Sequence, residues 1–225
     1  MKKVFSLVIV LFIALFAKAQ IEVTKFLGIP VDGTKQAMIQ KIKAKGYQYN
    51  TAFDRLEGEF NGRSVYIHVV TNNNKVYRIM VEDALYSSEG DIKIRFNTLC
   101  RQFKNNDKYL NPSLEDYEIS ETEKISYEMT VHNKRYEASY FQVTNQLDSV
   151  SMANQLEGYI YSKYGKDLSN LTEEQKLDAF TSSLMFYLSL YEDNSVWFMI
   201  TERYGRYGIL MYYDNNRNRA NGEDL

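Results

Sequence analysis

The chain has 225 residues, with 27 basic and 29 acidic side chains and a formal net charge of −2. This length suits one large domain or two small ones, and a weakly acidic chain does not neutralise phosphates by bulk charge, so we expect no nucleic-acid partner. The single cysteine, Cys100, excludes an internal disulfide, so hydrophobic packing must hold the fold together.

The N-terminus has the layout of a cleavable secretory signal. Two lysines precede an apolar run, 4–16, and small residues stand two apart at Ala17 and Ala19. This pattern predicts cleavage between Ala19 and Gln20, so that residues 1–19 are a signal peptide and the mature protein is secreted or periplasmic. The apolar run is shorter than the roughly 20 residues that span a bilayer, and we expect no membrane insertion after cleavage.

Two helices are predicted in the first half of the chain. The first, 34–45, follows a turn in which Asp32 or Thr34 can accept a hydrogen bond from a free backbone N–H. The second, 90–104, has an apolar stripe that predicts packing against a sheet, and it places Cys100 in that stripe as a buried core residue. The stripe consists of Ile92, Phe96, Leu99 and Phe103.

Three strands between these helices are predicted to form antiparallel hairpins. Asn61-Gly62 separates the first two strands and is the strongest short signal for a two-residue turn, because that turn needs positive φ at both positions. A polar run, 71–74, separates the second strand from the third. The predicted strands are 47–60, 63–70 and 75–81.

A polar stretch, 104–120, divides the chain and predicts a boundary near residue 112. The sequence then reads as one α+β unit, 20–112, followed by a second, 113–225. Both halves contain a predicted hairpin whose polar turn ends in arginine, which would fit a duplication. One continuous domain is the alternative.

The second half begins with alternating segments and continues with helical ones. Alternation predicts strands at 125–131 and 136–143, and Thr172 to Gln175 forms a capping box that begins a helix after another at 150–164. Across 182–191 both helical spacing and strand alternation fit, and we favour a helix. The chain is predicted to close with a hairpin, whose strands are 196–201 and 207–214, followed by a loose polar end at 215–225.

These elements predict an α+β fold, in which antiparallel sheet built from hairpins has helices packed on it. No nucleotide-binding, hydrolase or metal motif is present. A thiol protease would combine Cys100 with His68 or His132, but the apolar stripe around the thiol favours a core role. We therefore expect no catalytic residue, no cofactor and no metal. A secreted hydrolase whose paired carboxylates lie far apart in sequence is the alternative.

Aromatic residues are concentrated in the last hairpin, and they form the candidate binding face: Trp197, Tyr204, Tyr207 and Tyr212. Tyrosine and tryptophan offer large rigid contact area with a polar tip, which suits recognition of a protein or a glycan. Tyr204 and Tyr207 flank the turn, so we expect these two to reach solvent. A sheet packed on both faces is the alternative.

Several segments resemble uncharacterised secreted proteins of gut-type Bacteroidetes: KFLGIPVDGTKQAMIQKIKAKGY, GEFNGRSVYIHVVTNNNKVYRIMV, VWFMI and YYDNNRNRANGEDL. This resemblance implies a periplasmic or extracellular location and no assigned activity. The order of a G-x-x-x-x-G-T-K helix start followed by three strands is more remotely similar to exported α+β modules of the β-lactamase-inhibitor-protein and PepSY types. That similarity implies a non-catalytic, inhibitor-like binding function.

Overall fold

The computed structural model describes residues 22–113, 116–144, 149–165 and 170–220. The predicted signal peptide and its cleavage site lie outside the described residues. The α-helices are α1 (Lys35–Lys43), α2 (Glu89–Lys104), α3 (Ile125–Val131), α4 (Ser149–Tyr164) and α5 (Glu173–Ser189). The strands are β1 (Lys25–Phe26), β2 (Ile29–Pro30), β3 (Gln48–Asn50), β4 (Arg55–Phe60), β5 (Arg63–Asn72), β6 (Lys75–Asp83), β7 (Tyr109–Leu110), β8 (Glu137–Gln142), β9 (Ser195–Arg203) and β10 (Arg206–Asp214).

Eight strands form one antiparallel sheet in the order β3-β4-β5-β6-β10-β9-β8-β7, and β1 pairs with β2 in a separate small hairpin. The sheet confirms the predicted α+β class with antiparallel strands and local hairpins. Its central pair joins β6 to β10, so strands from both halves of the chain share one sheet. The division into units at residue 112 stays a prediction.

Two-residue turns set the register of three hairpins. Asn61 and Gly62 have φ angles of 49° and 70°, and Phe60 pairs with Arg63 on either side of them. The predicted Asn-Gly turn is therefore confirmed, since its geometry requires positive φ at both positions. The same pattern occurs at Asn73-Asn74 and at Tyr204-Gly205.

Helices α1 and α2 cover one face of the sheet, which we call the covered face. Thr34 caps α1 by accepting a hydrogen bond from the Ala37 N–H at 3.3 Å, as predicted. The apolar stripe predicted in α2 is buried along its whole length. The strands meet these helices with alternate apolar residues: Leu56, Val65, Ile67, Ile79, Val81, Val196, Phe198, Ile209 and Met211.

The prediction of a strand at 125–131 is wrong, because this segment forms α3. Its alternation does not reflect burial: Ile125 enters the core, whereas Tyr127 and Val131 are exposed. The strand next to β9 is β8, which pairs with β9 from Glu137 to Phe141. Ile125 and Met129, four residues apart, both pack on the main core, and this spacing places them on one side of a helix.

Other boundaries also differ from the sequence prediction. The strand predicted at 47–60 is divided into β3 and β4 by a turn at 51–54, where Asp54 has a positive φ of 49°. The capping box at Thr172 is confirmed, and α5 continues to Ser189, so most of 182–191 is helical. The segment predicted as a loose end at 215–225 is fixed at its start. The buried Asn215 donates a hydrogen bond from Nδ2 to the Val31 carbonyl at 2.9 Å.

Candidate functional site: the open face of the sheet

The second face of the eight-stranded sheet carries the densest set of aromatic and charged side chains on the strands. Among the described residues, the α-helices that pack broadly on the strands are α1 and α2, and both lie on the covered face. We call the opposite side the open face. By alternation along the strands it includes Tyr66, His68, Arg78, Met80, Glu82, Glu137, Ser139, Trp197, Met199, Leu210, Tyr212 and Asp214.

Trp197 and Tyr212 stack at the centre of the open face. They are directly opposite in the β9–β10 register, with ring centroids 4.0 Å apart and planes inclined by 19°. Tyr212 is buried, and this burial raises its pKa. Trp197 keeps partial exposure. The alternation of side chains along β9 and β10 thus places a rigid aromatic pair on the open face, with the Trp197 indole as its accessible member.

A bidentate ion pair fixes this stack. Arg78 donates from Nε and Nη2 to the two Asp214 carboxylate oxygens, each at 2.6 Å, and Trp197 Nε1 donates to Asp214 Oδ2 at 3.0 Å. The Arg78 guanidinium also lies 4.7 Å from the Tyr212 ring centroid. We call these four residues the Trp197 cluster. Asp214 orients the indole and is itself held by Arg78, so the cluster is pre-organised.

A groove of about 490 Å³ lies beside the Trp197 cluster. Ser139 stands directly opposite Trp197 on β8, and its small side chain leaves room on the side of the indole away from Tyr212. Arg135 and Arg219 line the groove with Glu137 and Asn216. Arg135 forms a 2.9 Å ion pair with Glu137. The groove therefore combines an aromatic surface with hydroxyl, amide and guanidinium groups.

A second polar cluster lies on the same face around Glu82. Its Oε1 accepts from Tyr86 at 3.1 Å and from Arg203 at 3.0 Å, while His68 Nε2 is 3.8 Å from Oε2. Among the described residues His68 Nε2 is a buried atom without a hydrogen-bond partner. Burial lowers the pKa of His68 more than the nearby Glu82 raises it. Burial also raises the pKa of Tyr86 to about 12.

The structure separates the four residues predicted as a binding face. Trp197 and Tyr212 lie together on the open face, and Tyr204 is fully exposed at the β9–β10 turn. Tyr207 is only 5% exposed, so the expectation that it reaches solvent is wrong. It follows the alternation of Ile209 onto the covered face, where its hydroxyl meets Ser126 of α3.

Sequence reasoning missed Arg78 and Asp214. Asp214 ends the strand predicted at 207–214 and shares the alternation of Tyr212, so the sequence pattern already places it on the same face as that residue. Arg78 lies 136 positions away from Asp214. The contact depends on the pairing of β6 with β10, for which local sequence patterns give no register.

The structure does not bring together the cysteine and histidines considered for a thiol protease. Cys100 is buried on the covered side, and burial raises the pKa of its thiol to about 12. His68 lies on the open face, and His132 is at the end of α3. Across the described ranges, no three or more histidine, cysteine or carboxylate side chains are placed to hold a metal ion.

Comparison of the chain with protein-family models, with curated proteins and with solved structures finds no match. In the part of the chain that the structure describes, no helix is long and apolar enough to cross a membrane. Function must therefore be argued from the geometry of the open face.

Proposed function

We propose that the protein is an exported, non-catalytic binding protein that captures a protein or glycan partner on the open face of its sheet. The Trp197 cluster is the centre of the binding surface and the adjacent groove accommodates part of the partner. Export is inferred from the signal layout at the N-terminus, and binding from the geometry of the cluster.

The observation that carries this proposal is the pre-organised Trp197 cluster at a partly exposed position. Tryptophan, tyrosine and arginine are the residues that most often dominate binding energy at protein interfaces. Here the stack and the 2.6 Å ion pair hold all three side chains before a partner arrives. Little side-chain entropy is then lost on association, which favours affinity.

The carboxylates of the open face support binding over hydrolysis. Asp214 is paired with Arg78, and Glu82 is paired with Arg203. A glycosidase needs one carboxyl group that can donate a proton to the leaving group, whereas both of these carboxylates accept hydrogen bonds from guanidinium groups. The alternative of a secreted hydrolase therefore receives no support from these groups.

A capture experiment with matched variants tests the proposal. The mature chain from Gln20 is immobilised and exposed to envelope and culture fractions, as protein and as polysaccharide pools. Trp197→Ala removes the accessible ring, and Ser139→Tyr fills the groove without touching the core. Tyr127→Ala, an exposed aromatic on α3, is the control.

We expect Trp197→Ala and Ser139→Tyr to weaken capture by about 2 kcal/mol or more, as at an interface hot spot. The control should capture like the wild type. Melting temperatures of all variants are measured alongside, because a loss of capture that follows a loss of folding would not support the proposal. Equal capture by wild type and Ser139→Tyr would contradict it.

A further inference from the structure

The groove beside the Trp197 cluster has an excess of positive charge. Its described lining includes three arginines and two carboxylates: Arg78, Arg135, Arg219, Glu137 and Asp214. Both carboxylates are already occupied, because Asp214 is held by Arg78 and Glu137 by Arg135. One guanidinium is left over, so the groove carries an uncompensated positive charge.

Arg219 is the arginine that is left over. In the part of the chain that the structure describes, no carboxylate forms an ion pair with Arg219, and the residue is exposed. Its backbone is nevertheless fixed, because the Arg219 N–H donates to the Asn216 carbonyl at 3.2 Å. The preceding Asn218 donates from Nδ2 to the Asp32 carboxylate at 2.8 Å and to the Val76 carbonyl at 2.9 Å. The fold thus holds an available guanidinium at the groove.

The polar lining of the groove suits a sugar better than a protein side chain. Among the described residues that line it, Trp197 and Ala138 are apolar, and the others offer hydroxyl, amide, carboxylate or guanidinium groups. The core of a protein interface is usually more apolar and poor in charged residues.

A sugar ring needs a different surface, because it has an apolar C–H face and hydroxyl groups around its edge. The slightly positive C–H bonds are attracted to the negative face of an aromatic ring, and the hydroxyl groups need polar neighbours. Trp197 offers one flat ring, and Ser139 stands directly opposite it on β8. The groove therefore surrounds a single aromatic surface with hydrogen-bonding groups, which matches the two sides of a sugar.

We propose that the partner captured on the open face is an acidic glycan, a sugar chain that carries carboxylate or sulfate groups. One sugar ring stacks on Trp197 beside Ser139, and its anionic group pairs with Arg219. A guanidinium can bind such an oxyanion through two parallel N–H donors, which adds geometric specificity to the attraction of charge. This inference rests on the proposed function, because it names the partner of the same surface.

Titration of the mature chain with defined oligosaccharides, followed by Trp197 emission, tests the proposal. The probes are a galacturonic acid trisaccharide, its methyl ester, and a galactan oligosaccharide with and without sulfate. Within each pair the sugar is the same and the charge differs. We expect an acidic probe to bind about tenfold or more tightly than its neutral counterpart, as for a hydrogen bond to a charged group. The pair that shows this difference distinguishes carboxylate from sulfate.

A matched pair of variants locates the charge that the glycan meets. Arg219→Gln removes the guanidinium charge, and it should weaken binding of the acidic probe about tenfold and leave the neutral probe unchanged. Arg63→Gln is the control, because Arg63 is also exposed and lines a separate groove beside α2, and it should bind like the wild type. Melting temperatures should stay unchanged in both variants. The comparison of each acidic probe with its neutral counterpart needs no variant, so it applies even if Arg219→Gln does not fold.

Four results would overturn the inference. They are no binding of any probe, equal affinity within both pairs of probes, an Arg219→Gln variant that binds the acidic probe like the wild type, and binding of a glutamate-rich peptide in place of the oligosaccharides. Capture of a protein or a neutral glycan that is lost in Trp197→Ala would also overturn it while the proposed function stands. Capture that Trp197→Ala and Ser139→Tyr leave unchanged would instead contradict the proposed function.

Discussion

Cys100 illustrates how burial governs the chemistry of one side chain. The thiol lies in the α2 stripe, and burial raises its pKa to about 12, so almost no thiolate is present at neutral pH. We expect slow reaction with a colour-forming thiol reagent in the native state and fast reaction in denaturant. Cys100→Ala should cost about 1 kcal/mol of unfolding free energy through a few lost packing contacts. Rapid labelling of the native protein would contradict the buried placement.

His68 should make stability depend on pH. Its pKa in the folded protein is below the ordinary value of 6.5 because burial disfavours the charged ring. Below that value the unfolded chain binds more protons than the folded chain, so the unfolding free energy should decrease as the pH falls from 7 towards 5. Urea unfolding at a series of pH values measures this. In His68→Gln the decrease over this interval should be smaller, and an unchanged slope would assign it to other groups.

At the scale of elements, the Asn61-Gly62 turn gives the sharpest test. Gly62 has a φ of 70°, a region that β-branched residues resist. Gly62→Val should therefore lower the unfolding free energy by more than about 1 kcal/mol. Gly158→Ala in α4 is the control, because an added Cβ there meets no atom within 4 Å and alanine favours the helix. An unchanged denaturation midpoint in Gly62→Val would mean that the turn tolerates strain.

Helices, strands and turns could be predicted from the sequence where a local pattern fits only one kind of structure. The cap at Thr34, the stripe of α2 and the Asn61-Gly62 turn each constrain a few neighbouring residues, and the structure confirms them. The apolar pattern at 125–131 fits both a strand and a helix. Ile125 and Met129 would share one side of a strand and also one side of a helix, and only their packing on the core shows that the helical spacing is the one realised.

At the scale of the whole molecule, half of the candidate site could be predicted. Trp197 and Tyr212 were found because aromatic residues cluster in one hairpin. Closeness to a turn does not place Tyr207 in solvent, because strand alternation carries it to the covered face, where it is 5% exposed. Arg78 and Asp214 required the long-range register between β6 and β10, which is set by packing of the complete sheet.

The open face also carries a natural fluorescent probe of partner binding. Trp197 is the only tryptophan in the chain, so tryptophan emission reports on the proposed binding surface alone. A partner that contacts the indole changes its solvent exposure and its position against Tyr212, and both affect emission. No label or substitution is needed in the wild-type protein.

The most direct measurement is a titration of the mature chain with the captured partner, followed by Trp197 emission. We predict a saturable change in emission whose midpoint equals that of capture, and the loss of this change in Ser139→Tyr. Capture that saturates while Trp197 emission stays constant would contradict the account, because the partner would then bind away from the open face.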